Sequence, residues 1–198
     1  MNHLAHALLS DPGGAEFALG SALGDFIHGF PDPTWTAARR AGLRFHRAID
    51  RHTDSHPQLM AARKLFASPM RRYAGIVLDV WFDHLLVQDW SHYSADESLP
   101  DFSQRWLALL DARAPELPDS LRAFLQWMHA HGLPAGYGDD TTLDVVFHAL
   151  AQRLSRPSPI GDAMSVLKAN ADALQSHFDA FFPDLVAHAR TLRRDLLA

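Results

Sequence analysis

Residues 76–87 read Ile-Val-Leu-Asp-Val-Trp-Phe-Asp-His-Leu-Leu-Val, and the reading of this stretch decides the fold. Its apolar residues fall on every side of a helix, interrupted only by Asp79, Asp83 and His84. A helix that is hydrophobic all round is a buried one, so the stretch predicts the centre of a helical protein. Asp79 and Asp83 are four residues apart and share one stripe. Like charges on a stripe repel, and a buried, unpaired carboxylate is costly or takes up a proton. The stripe therefore calls for cations. An arginine such as Arg47 would supply one. A divalent metal ion supplies more charge in less space, with imidazoles completing a nitrogen–oxygen shell.

The nearest imidazoles upstream lie in residues 42–57, Gly-Leu-Arg-Phe-His-Arg-Ala-Ile-Asp-Arg-His-Thr-Asp-Ser-His-Pro. On a helix His46 and Asp50 stand one turn apart on a single face. Asp54 would continue that stripe, although Thr53, Asp54, Ser55 and Pro57 have the composition of a helix end. Further upstream, Asp25 sits in Phe-Ala-Leu-Gly-Ser-Ala-Leu-Gly-Asp-Phe-Ile (17–27), where nearly every neighbour within a turn is apolar. Gly20, Ser21, Ala22 and Gly24 leave room for another helix to come close. His3 and His6 share a face of the first helix. Each pair alone is what a surface ladder or a frayed terminus also looks like. Together they are four clusters on four predicted helices within the first 84 residues, the make-up of a carboxylate–imidazole centre inside a helical bundle.

The apolar spacing is helical along the whole chain, and no stretch sustains a period of two. Helices are predicted over 2–9, 16–29, 34–51, 56–67, 70–93, 102–114, 119–131, 142–154, 162–182 and 184–197, with Thr34 and Ser55 as caps and Pro183 dividing the last two. The expected class is all-α, a single compact multi-helix bundle forming one domain over 1–198. At 198 residues with 47% hydrophobic and 21% charged residues, the chain has an ordinary globular composition. It contains no cysteine, which excludes disulfides, thiolate metal sites and a cysteine nucleophile and fits a cytoplasmic location. No signal peptide and no membrane-spanning run are expected. Net charge is −5, but residues 39–72 carry nine Lys/Arg against Asp50 and Asp54, a local +7, leaving −12 on the other 164 residues. Such a segment is either a solvated helical face or a field for an anionic ligand or acidic partner. Nucleic acid is not expected, given the overall negative charge.

Competing chemistries lack their signatures. There is no glycine-rich nucleotide loop, no nucleophile elbow around Ser21, and no His-Glu-x-x-His zinc motif. Phe124, Trp90, Trp106 and Trp127 read as core or groove lining, and Arg153 and Arg156 as helix-end groups or as holders of a phosphate oxygen.

The order and spacing of these residues resemble a known family. Asn2-x-Leu4-Ala5-His6, Gly24-Asp25-Phe26, His46-Arg47-x-Ile49-Asp50-x-x-Thr53-Asp54-x-x-Pro57, Leu78-Asp79-Val80-x-x-Asp83-His84 and Phe181-Phe182-Pro183-x-Leu185 look like the bacterial acyl carrier protein phosphodiesterase family over nearly the whole chain. That family is an all-helical relative of the HD-type metal-dependent phosphohydrolases. It removes 4′-phosphopantetheine from holo acyl carrier protein with Mn2+ as the favoured ion, Mg2+ or Fe2+ being alternatives. The resemblance implies a metal centre from His6, Asp25, His46, Asp50, Asp79, Asp83 and His84. His46, His84 and Asp83 are candidates for proton transfer, Arg47 and Arg51 for a phosphate oxygen, and Asp54 for a supporting group behind the ligands. An acidic carrier protein would suit the +7 segment. Three features depart from the pattern: His3 stands where the family has an aromatic, the doublet runs Asp83-His84 rather than His-Asp, and His52 and His56 lie outside it. Two other readings stay open: the same metal chemistry on a small phosphate ester or nucleotide, and a non-catalytic helical binding protein with buried polar networks.

Overall fold

The computed structural model describes residues 3–198. Asn2, where the sequence places the start of the first helix and of the first motif, lies outside the described residues. The helices are α1 (His3–Ser10), α2 (Ala15–Ala22), α3 (Ala37–Ser55), α4 (Pro57–Ala62), α5 (Ala74–Gln88), α6 (Trp90–Tyr93), α7 (Leu99–Asp111), α8 (Asp119–Ala130), α9 (Asp140–Arg153), α10 (Ala163–Ala169) and α11 (Ala171–Leu197). Short 3-10 turns join several of them, and no strand occurs among the described residues. None of the helices is long and apolar enough to cross a membrane.

The chain packs round α5 as its apolar surface requires. Val77, Leu78, Trp81, Phe82 and Leu86 are buried, and Phe82 meets Phe178 and Phe181 of α11 at ring distances of 5.5 and 5.9 Å. The small residues of α2 serve their expected purpose. A Cβ on Gly20 would stand 2.0 Å from the Arg39 carbonyl oxygen, and one on Gly42 2.0 Å from that of Phe17. Helices α2 and α3 therefore cross backbone against backbone, which brings His46 and Asp50 up to the end of α2.

Several boundaries differ from the sequence reading, each for a local reason. Helix α2 stops at Ala22, so Asp25 lies in the turn that follows rather than within a helix. Thr36, not Thr34, caps α3 by accepting from the Arg39 amide, while Thr34 bonds to Asp32. Helix α3 continues to Ser55 because the breaking residue is Pro57, which forces its predecessor His56 into an extended conformation (ψ 133°). His56, not Ser55, then caps α4, its Nδ1 accepting from the Gln58 amide. The predicted 70–93 helix is divided into a 3-10 turn at Met70–Tyr73, α5 and α6. The C-terminal break falls at Asn170, between α10 and α11, and Pro183 lies inside a continuous 27-residue helix. Proline in a helix interior costs about 3 kcal/mol. Phe178, Phe181, Phe182 and Leu185 are all fully buried on either side of it, and their burial outweighs that cost.

Candidate metal centre

Three elements meet at one point. Helix α1 brings His6, the turn after α2 brings Asp25, and α3 brings His46 and Asp50. His6 Nε2 is 2.9 Å from Asp50 Oδ1, and His46 Nε2 is 3.1 Å from Asp50 Oδ2 and 3.3 Å from Asp25 Oδ1. Ligand atoms of His6, His46 and Asp50 all lie within 4.8 Å of one another. The two imidazoles are stacked, with centroids 3.8 Å apart and planes 14° from parallel. His6 and His46 are buried, whereas the Asp25 side chain is 48% exposed and the Asp50 side chain 35%, so the point opens to solvent on its carboxylate side.

Glycine and arginine set this geometry. A Cβ on Gly24 would fall 2.1 Å from Cδ2 of His46, so the chain next to Asp25 lies directly on the imidazole face. Arg47, the neighbour of His46, turns away from the cluster. Its guanidinium donates to the carbonyls of Gly29 (2.7 Å) and Ile27 (2.8 Å), tying down the segment that carries Asp25.

The charges are arranged in alternation. Burial lowers the His46 pKa, but the carboxylates of Asp25 and Asp50 outweigh it and raise it to about 9. Burial together with the adjacent His46 lowers His6 to about 3, against the pull of Asp50. Burial raises Asp50, yet its bonds to His46 and His6 hold it well below the usual carboxylate range, and Asp25 is held down in the same way by His46 and His3.

This donor set fits a divalent cation. Neighbouring ligands about 2.1 Å from a small octahedral ion stand about 3 Å apart, the spacing found between the imidazole nitrogens and Asp50. The Nδ1 atoms of His6 and His46 have no hydrogen-bond partner among the described residues, and it is the Nε2 atoms that both rings present to the carboxylates. Nitrogen and carboxylate oxygen together suit a borderline or hard transition ion.

The other expected site residues go elsewhere. Asp83 is fully buried, and its two oxygens accept from the amides of Leu4 (2.8 Å) and Ala5 (3.1 Å). The cation its stripe calls for is in effect the positive end of α1. Burial pushes its carboxyl up to about 7 against those two donors. Asp79 is half-buried on the same helix, and burial raises its carboxyl too. His84 stacks on Trp81, and its Nδ1 donates to the Tyr137 carbonyl at 2.9 Å, which leaves Nε2 as an acceptor. None of these three belongs to the group around His46. Asp54, 70% exposed, pairs with Arg63 at 2.6 Å instead of backing the ligands. Arg51 is exposed one residue after Asp50 and has no ion-pair partner among the described residues.

Two residues that the sequence names without a ligand role are neighbours of the centre. His3 Nδ1 lies 4.0 Å from Asp25 Oδ2, and its ring packs on Phe124 at 4.4 Å. Beside it opens a small cleft lined among others by Val80, Phe124, Trp127, Tyr137 and Arg153. Arg153 stands over the Phe124 ring at 5.8 Å. These residues lie on α5, α8, α9 and the 3-10 turn at Ala135–Gly138, and only folding brings them together.

No solved structure matches the chain. The family model described as acyl carrier protein phosphodiesterase matches residues 1–185. Acyl carrier protein phosphodiesterases of Escherichia coli strain K12/DH10B, O139:H28 and O9:H4 are each 33% identical over 190 residues, covering 96% of this chain and 97% of the relative. The imidazole–carboxylate cluster falls wholly inside the matched region, and on that match the chain belongs to the acyl carrier protein phosphodiesterase family.

Proposed function

We propose that this chain hydrolyses the phosphodiester joining 4′-phosphopantetheine to a serine of holo acyl carrier protein, releasing apo carrier protein and 4′-phosphopantetheine. The observation that carries this reading is the convergence of His6, His46, Asp25 and Asp50 on one solvent-facing point. Those four residues would hold the ion, Mn2+ in the first place. When bound, a divalent cation supplies charge for the phosphoryl oxygens and makes water acidic enough to attack phosphorus.

The chain's own residues do the rest. Gly24 and Arg47 fix the segment bearing Asp25, so its carboxylate is held rather than recruited. The guanidinium of Arg51 binds a non-bridging phosphate oxygen. His84 Nε2, left as an acceptor by the Tyr137 carbonyl, takes the proton of the attacking water and passes it to the leaving serine oxygen. Asp83 holds α1 in place and thereby His6. The apolar cleft beside His3 accepts the pantetheine arm, with Arg153 against its polar groups. Residues 1–198 act as a single domain, in the cytoplasm, on a protein substrate whose acidic surface meets the basic 39–72 segment.

The test is to strip the protein with a chelator, restore Mn2+ and incubate it with holo carrier protein under mass spectrometry. Loss of the arm's mass from the carrier is expected. An intact carrier with metal present overturns the proposal, and turnover of a nucleotide panel in its place moves the assignment to a small-molecule phosphodiester.

A further inference from the structure

A second cluster lies at the C-terminal end of α3, just beyond Asp50, built from residues that the phosphodiesterase reading does not use. His52, in the last turn of α3, and His56, the cap of α4, are four residues apart. Asp184 and His188, also four apart, face them from α11. His52 Nε2 is 3.3 Å and His56 Nε2 is 3.4 Å from the same oxygen, Asp184 Oδ2. Ligand atoms of the three residues lie within 4.8 Å of one another.

Both rings are held in this pose by packing. His52 is stacked on His188 at 4.1 Å with the planes 9° apart. The His56 ring meets Phe181 edge-on at 4.9 Å. A satisfied salt bridge would account for such a cluster, but the hydrogen bonding does not close. His52 Nε2 is buried and, at 3.3 Å from Asp184, is not aligned for a regular hydrogen bond to it. Two nitrogens aimed at one oxygen, one of them unsatisfied, are donors converging on a shared point.

Ligands 2.0–2.1 Å from a tetrahedral zinc ion stand about 3.3–3.4 Å apart, the spacing between both imidazoles and Asp184. Two imidazoles and one carboxylate are a zinc donor set. We propose that His52, His56 and Asp184 form a zinc site, separate from the His6/His46/Asp50 centre, that clasps α11 to the α3–α4 corner. The Asp184 side chain is 59% exposed, so the fourth position faces solvent and the site fills from outside. Occupancy has a chemical consequence at His56. Its Nδ1 accepts from the Gln58 amide at 3.2 Å, and a ring that gives its Nε2 lone pair to a metal must carry its proton on Nδ1. Zinc therefore ends that cap bond and turns the half-buried Gln58 amide to water.

The experiment is equilibrium dialysis of chelator-stripped protein against Zn2+, with metal and protein quantified for the wild type, Asp184→Asn, His56→Gln and His46→Asn. Asp184→Asn and His56→Gln are each expected to bind one equivalent fewer than the wild type, while His46→Asn keeps the equivalent that depends on Asp184. Because Asp184 is exposed, its variant retains the wild-type circular dichroism. Equal zinc in the wild type and Asp184→Asn overturns the proposal. A second reading comes from long-range proton–nitrogen NMR of the wild type. Zinc is expected to move the His56 proton to Nδ1 and to shift the Gln58 amide; imidazole nitrogens of His52 and His56 that do not respond to saturating zinc also overturn it.

Discussion

Asp50 and Asp83 are both helical aspartates with a histidine nearby, yet they do opposite work. Asp50 is about a third exposed and sits between two imidazoles. Asp83 is sealed in the core and holds two amides of α1. Replacing Asp83 by Ala leaves two buried N–H groups unpaired at about 1–3 kcal/mol each. Asp83→Ala is therefore expected to lower stability by about 2–5 kcal/mol in urea denaturation, and Asp83→Asn, which keeps one acceptor, by less. Gly24 acts at the centre itself. The added methyl of Gly24→Ala pushes into the His46 ring and moves a ligand by a large fraction of an ångström. A drop in kcat/KM of about 10²-fold with unchanged far-UV circular dichroism is expected, as for other small misplacements of reacting groups. Wild-type turnover by Gly24→Ala would remove His46 from the centre.

At the scale of elements, the junction of α2 and α3 has its own electrostatic lock. Arg39 on α3, 6% exposed, pairs with Glu16 of α2 at 3.0 Å and with Glu116 after α7 at 2.8 Å, and Arg113 pairs with both glutamates at 2.6 Å. Hydrogen bonds from Arg39, against a smaller effect of burial, lower the Glu16 pKa to about 2. A carboxylate depressed on folding adds stability above its unfolded pKa, and that stability is lost as pH falls through the folded one. Wild-type stability is expected to decline between about pH 4.5 and pH 2. Glu16→Gln is expected to cost about 1–2 kcal/mol at pH 7, after allowance for solvent screening, and much less at pH 2. Urea titrations at the two pH values measure the difference, and a pH-independent cost would mean the lock is packing rather than charge. The same junction explains why Asp25 was misplaced on a helix. The spacing of Phe17 to Ile27 is helical, but α2 ends early so that the chain can fold back over His46 and be held there by Arg47.

For the whole molecule the uneven charge matters most. A +7 segment on a protein of net charge −5 would draw an acidic partner toward α3 and α4. Raising ionic strength from about 0.05 to 0.5 M is expected to lower kcat/KM on carrier protein by about 5-fold or more while leaving kcat little changed. Steady-state kinetics in a salt series tests this, and a salt-independent KM would sever the segment from substrate docking. The helical class, the buried α5 and the candidacy of His6, Asp25, His46 and Asp50 as one group were legible along the chain, because period 3.6 and the cost of burying charge are local properties of residues. Which charge meets which was not legible. Asp83 found an amide pair rather than an ion, Arg47 found carbonyls rather than phosphate, Asp54 found Arg63, and Pro183 was absorbed into α11. Each of those outcomes depends on a partner 9 to 79 residues away or on core burial that offsets a local penalty. Such partners are chosen by packing in three dimensions, so only the tertiary structure decides them.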